Sequence, residues 1–124
     1  MFKIKFYEDV QGNKPIAEYL SGLGKQAATS KSERIRLKKI SEYMEMLKKY
    51  GTQAGEPYVK HIDGDIWELR PNNDRIFFFY WKDDFFVMLH HFTKKTNKTP
   101  PREIEQAKRN LKDFIERGSQ GEKR

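Results

Sequence analysis

From residue 55 to residue 95 the chain reads as apolar, aromatic-rich stretches cut by very short polar turns: "GEPYVKHI", Asp63-Gly64, "IWELRP", "NND", "RIFFFYWK", Asp83-Asp84, "FFVMLHHFTKK". Connections this short force consecutive strands to run antiparallel, because parallel neighbours need a crossover of a dozen or more residues. "IWELRP", "RIFFFYWK" and "FFVMLHHFTKK" are therefore predicted as a meander of three hairpin-linked strands, and the stretch up to Asp63-Gly64 as a loop entering a strand. The flanking segments must then supply the helices that pack on its apolar face.

Those segments carry the expected signals. Phe2, Ile4 and Phe6 alternate with Lys3, Lys5 and Tyr7, the period of an opening strand. "GNKPIAEYLSGLG" reads as a short helix with Asn13 as cap, Ile16, Leu20 and Leu23 on one face, and Gly22 and Gly24 as its end. In "SKSE", Ser30 and Glu33 have capping-box spacing. Leu37, Ile40, Met44 and Leu47 follow at helical spacing, with Gly51 placed to stop the helix. Its opposite face holds Lys31, Arg34, Lys38, Lys39, Lys48 and Lys49, most simply the solvated side of an amphipathic helix. After Pro100-Pro101 a last helix is predicted, capped by Thr99, with Ile104, Ala107, Leu111, Phe114 and Ile115 as its stripe and Gly118 as its stop. The order of elements predicts an α+β fold with a twisted antiparallel sheet, two N-terminal helices and a C-terminal helix. Residues 1–117 form a single domain, and 118–124 a flexible polar tail.

Twenty-five Lys and Arg against 18 Asp and Glu leave a net charge of +7, which favours an anionic partner such as RNA, DNA or an acidic protein. The absence of cysteine excludes disulfides and thiolate metal sites. No signal-peptide core opens the sequence, and the longest apolar run, residues 76–81, is far too short for a membrane span. A soluble, cytoplasmic protein without a membrane partner is expected.

Strand geometry decides which side chains share a face. A four-residue connection over 71–74 pairs Arg70 with Arg75, Glu68 with Phe77 and Ile66 with Phe79. A two-residue turn at Asp83-Asp84 pairs Trp81 with Phe86, Phe79 with Met88, Phe77 with His90 and Arg75 with Phe92. One face then carries Glu68, Arg70, Arg75, Phe77, Phe79, Met88, His90 and Lys94. The other carries Trp67, Leu69, Ile76, Phe78, Tyr80, Val87, Leu89 and His91, and is the more apolar, hence the predicted core.

The first face suits metal-free RNA cleavage, in which the ribose 2′-hydroxyl attacks and the protein supplies proton transfer and cations for the pentavalent phosphate. Arg70 and Arg75 can hold phosphate oxygens, Lys94 and His90 can move charge and protons, and Phe77 and Phe79 can stack a base. Glu68 is read as a counter-ion orienting Arg70 rather than as a base. Metal chemistry is disfavoured, since His90 and His91 point to opposite faces and no carboxylate cluster joins His61 to them. No phosphate-binding glycine loop or Ser-His-Asp signature is present, and no cofactor is implied.

Three stretches, "GEPYVKHIDGDIWELRP", "RIFFFYW" and "LHHFTKKTNKTPPREIEQAKR", resemble the HigB-like, phage-derived Gp49-like branch of the RelE/ParE toxin superfamily, over roughly residues 2–117. The most specific parts are "IWELR" and the His-x-Phe-x-Lys-Lys-Thr-x-Lys-Thr-Pro pattern. The resemblance implies the RelE-like fold and a toxin of a type II toxin–antitoxin system, an endoribonuclease that cuts mRNA, usually on the ribosome, and arrests growth. It also implies a neighbouring helix-turn-helix antitoxin of the HigA kind. Arg70 matches the Arg of "WELR", Arg75 the basic residue opening the next strand, Lys94 and Lys95 the paired lysines, and His90 the better-matching histidine of its doublet. Lys98 falls in the same motif and, with Lys95, is expected to bind substrate. Two alternatives are a ParE-like, non-enzymatic inhibitor of DNA gyrase and a non-toxic basic nucleic-acid-binding protein.

Overall fold

The computed structural model describes residues 1–122. Its elements in order are β1 (Lys3–Phe6), α1 (Pro15–Ala27), α2 (Lys31–Tyr50), a 3-10 turn (Gly51–Ala54), β2 (Val59–Asp63), β3 (Ile66–Leu69), β4 (Asp74–Tyr80), β5 (Phe85–Thr93) and α3 (Pro101–Glu122). The class is α+β, with two helices between β1 and the other strands and one helix after them. The five strands lie in the order β1-β5-β4-β3-β2. The sheet is mixed rather than wholly antiparallel: β1 runs parallel to β5, which two intervening helices and a meander permit.

Helix boundaries differ from the sequence reading at glycines. Gly22 and Gly24 lie inside α1, where they face open space. A helical glycine costs about 1 kcal/mol against alanine, less than the roughly 1.5–3 kcal/mol from burying Leu23, which lies between them and is 2% exposed. Pro15 opens α1, and the Lys14 amide is satisfied by Glu18 at 2.8 Å, so Asn13 is not the cap. Gly118 likewise fails to stop α3, which continues to Glu122; residues 123–124 of the expected tail lie outside the described residues. Ser30 does cap α2, its hydroxyl accepting the Glu33 amide at 3.4 Å. At Gly51 the helix does stop: φ is +59°, and a Cβ there would meet the Phe2 ring at 2.9 Å.

The sheet is covered on both faces. On one side Ile16 and Leu23 of α1 and Ile40 and Leu47 of α2 pack on Leu69, Ile76, Phe78, Phe86 and Met88 of the sheet. Under α3 lie Ile66, Phe77, Phe79, Val87, Leu89 and Phe92, packed on Ala107 and Phe114, with Ile104 and Leu111 beside them. Ile115, expected in that stripe, is 43% exposed.

A bulge explains this distribution. Phe77 pairs with His90 and Arg75 with Phe92, as the sequence predicts, but Phe78 pairs with Met88, Phe79 with Val87 and Tyr80 with Phe86. Leu89 is the extra residue. The expected pairings Phe79–Met88 and Trp81–Phe86 are therefore one residue out near the turn, and the bulge restores the register beyond it. Met88 moves beneath α1 and α2, whereas Val87 and Leu89 move beneath α3. The carbonyl of Leu89 accepts from the Asn110 side chain of α3 at 2.8 Å, which satisfies the bulged backbone.

Candidate active site

At one end of the sheet, β3 finishes, β4 starts and β5 runs into the loop before α3, and the basic residues gather there. Beyond β3, the Arg70 amide donates to the Tyr58 carbonyl at 3.0 Å. Glu68, 1% exposed, lies between the two arginines: its Oε1 is 3.3 Å from Arg70 Nε and 3.5 Å from Arg75 Nε. One buried carboxylate thus offsets the repulsion of two adjacent guanidiniums, the counter-ion role expected of it. Thr99, expected as a helix cap, instead donates its hydroxyl to Glu68 Oε2 at 3.4 Å. Arg70 also meets Glu56 at 3.5 Å.

Arg75 is held by backbone. Its Nη1 donates to the Asn72 carbonyl at 2.6 Å and to the Asp74 carbonyl at 2.9 Å. Burial lowers its pKa from the ordinary arginine value, with Arg70 adding to the effect and Glu68 opposing it. The Nε atoms of Arg70 and Arg75 are buried and make no hydrogen bond among the described residues. Their compensation is Coulombic, from the Glu68 carboxylate that both face.

Arg70, Arg75, Lys94 and Lys95, with Asn73, Thr93, Thr96 and Asn97, line a cleft of about 770 Å³. A second hollow of about 350 Å³ adjoins it, sharing Arg70, Lys94 and Asn97 and adding Lys60, His61 and Lys98. The Lys94 ammonium has its pKa lowered, first by partial burial and then by Arg75, Arg70 and Lys60, against the opposing pull of Glu68. Lys60 was not anticipated. It pairs across the sheet with Glu68, and only the β2–β3 register, which the sequence left unassigned, could have revealed it.

Of the predicted site residues, the structure brings Glu68, Arg70, Arg75, Lys94, Lys95 and Lys98 to these two hollows. Phe77 and Phe79 are elsewhere: they are 0% and 3% exposed beneath α3, with no ring face free for a base. They were expected on an open surface because nothing in the sequence said that α3 would roof it.

His90 shares the sheet face of Glu68, but Phe77 stands between them in the cross-strand row. Their backbones are thus two strand spacings, roughly 10 Å, apart. The His90 ring instead meets Glu103 of α3 at 2.8 Å. The expected convergence of His90 with the three cations is therefore absent from this conformation. His91 points the other way, as predicted, stacked on Tyr19 at 3.8 Å and bonded to Asp74 at 3.1 Å. Among the described residues no group of three His, Asp or Glu is placed to hold a metal ion, and no helix is long and apolar enough to cross a membrane.

No curated protein matches the chain. A family model described as "Phage derived protein Gp49-like (DUF891)" matches residues 27–112, which run from the end of α1 through α2 and β2–β5 into α3 and include every basic residue of the cleft. The chain belongs to this Gp49-like family, and thereby to the RelE/HigB-like group of toxins.

Proposed function

We propose that this chain is the toxin of a type II toxin–antitoxin pair and a metal-independent endoribonuclease that cuts mRNA on the ribosome. The observation that carries the reading is the Arg70–Arg75 pair around buried Glu68. The Nε sides of the pair face Glu68, and both arginines line a cleft walled by Lys94. Two guanidiniums fixed side by side fit the extra negative charge of a pentavalent phosphate.

In this mechanism the 2′-hydroxyl gives its proton to solvent water and its oxygen bonds to phosphorus as the bond to the 5′-oxygen breaks, leaving a 2′,3′-cyclic phosphate and a 5′-hydroxyl. Arg70 and Arg75 hold the non-bridging oxygens. Lys94, its ammonium made more acidic by its surroundings, protonates the leaving 5′-oxygen. Lys60, Lys95 and Lys98 bind neighbouring phosphates. The partner is an antitoxin encoded next door, whose acidic surface is favoured by the +7 charge. The pair acts in the cytoplasm.

Induction of the chain alone tests this: growth stops, messages are cut, and the new ends are 2′,3′-cyclic phosphate and 5′-hydroxyl. Growth arrest with intact transcripts and damaged DNA would mean gyrase poisoning. No arrest would leave a non-toxic nucleic-acid-binding protein.

A further inference from the structure

We propose that Asp74 is a positioning residue that sets Arg75 and Lys94 in place from behind the cleft. The proposal rests on the ribonuclease reading. Three consecutive backbone carbonyls hold the two cations: those of Asn72 and Asp74 bind the Arg75 guanidinium, and that of Asn73 accepts the Lys94 amide at 2.7 Å. This segment is a turn, with Asn72 at φ +55°. What anchors it is the side chain of its last residue.

The Asp74 side chain is 2% exposed and is gripped from three elements. Arg36 of α2 takes both oxygens, Nε to Oδ2 at 2.9 Å and Nη2 to Oδ1 at 3.0 Å. The Tyr19 hydroxyl of α1 donates at 3.2 Å, His91 of β5 lies at 3.1 Å, and the Thr93 hydroxyl donates at 3.3 Å. Arg36 Nη2 also donates to Thr93 Oγ1 at 2.7 Å, closing the ring of contacts one residue before Lys94. Glu33, 3.8 Å from Arg36 Nη1, is the other acidic group facing the cluster. A carboxylate held this way fixes the backbone that carries it, and that backbone aims both cations.

Misplacing a catalytic group by about 1 Å can cost on the order of 10²-fold. Asp74→Asn should therefore lower kcat on ribosome-bound message by about 10²-fold, while KM, set largely by phosphate contacts along the hollows, stays near wild type. Tyr19→Phe, which keeps the charge and removes one donor, should give a smaller loss in kcat alone. The decisive experiment is a double-mutant cycle with Arg75→Ala, on samples shown to be folded by circular dichroism. If Asp74 acts through Arg75 and Lys94, Asp74→Asn costs clearly less in the Arg75→Ala background than in wild type, since only the Lys94 share of its effect remains. A role in stability alone would instead lower both backgrounds equally. Wild-type kcat in Asp74→Asn, or losses that multiply in the double variant, would overturn the positioning role while leaving the nuclease reading intact. Wild-type protein that cuts no message would overturn that reading and this proposal with it.

Discussion

Replacing Asp74 by Asn should cost stability by an amount that depends on pH in a calculable way. Burial alone would raise the pKa of this carboxyl, but hydrogen bonds from His91 and Arg36 outweigh it and hold the group at about 2, against 3.8 for a free aspartate. A depressed carboxylate pKa stabilises the fold above the unfolded value and loses that contribution as pH falls through the folded one. At 1.36 kcal/mol per pKa unit the depression from 3.8 to about 2 contributes roughly 2 kcal/mol at pH 7 and about half of that at pH 3. Stripping one partner from a buried ion pair typically costs about 3–5 kcal/mol. The lower figure is the better expectation here, because the Arg36 side chain is 30% exposed and water can solvate it when its partner is gone. A loss of this size is a large fraction of the roughly 5–15 kcal/mol that holds a domain together, yet leaves it folded at ordinary temperature. Urea unfolding of wild type and Asp74→Asn at pH 3, 4, 5 and 7 reads it directly. The gap between the two proteins should widen from pH 3 to pH 5 and then stay constant. A gap below about 0.5 kcal/mol at pH 7, the scale of an ordinary surface substitution, would refute the account, as would one that does not change with pH.

Arg70→Ala should slow cleavage per folded molecule by about 10²–10³-fold, the scale for removing one preorganised donor to a developing oxyanion, and lower the melting temperature as buried Glu68 loses one of its two cationic partners; message-cleavage rates on folded protein check this. Lys94→Met should reduce turnover far more than His90→Ala, because Lys94 lines the cleft and His90 is committed to Glu103; the reverse order would put proton transfer at the His90–Glu103 pair. With Lys94 as the proton donor, the rate is sustained below its pKa and falls as pH rises through it. The fall should therefore come at lower pH than for a free lysine, and a pH–rate profile in which Lys94→Arg does not move that limb would remove the assignment. His91→Ala should lower stability by about 1–3 kcal/mol, the cost of a lost buried hydrogen bond, and reduce turnover per folded molecule much less than Lys94→Met does, measured by urea unfolding and cleavage in parallel.

The amino-acid sequence by itself determined the parts of this protein that depend on local chemistry. The capping position of Ser30, the stop at Gly51 and the helical spacing of Ile40 and Leu47 are written within one helix. The pairing of Glu68 with Phe77 follows from a turn length, and the opposite pointing of His90 and His91 follows from the two-residue period of a strand. These were enough to bring Arg70, Arg75 and Lys94 to one place and to give Glu68 its counter-ion role. The tertiary structure decided whatever depends on what lies over a face. The bulge at Leu89 arises from strand pairing combined with an α3 side chain that satisfies its carbonyl, and neither is visible in the run "FFVMLHH". The same helix roofs Phe77 and Phe79 and draws His90 to Glu103, so a surface that looks open in the sequence pattern is half core. Asp74 shows the limit most clearly. In sequence it is the last residue of a polar turn; in the fold it meets Tyr19, Arg36 and His91, 55, 38 and 17 residues away along the chain. A buried carboxylate is stable only with such partners, and no local pattern announces partners that distant.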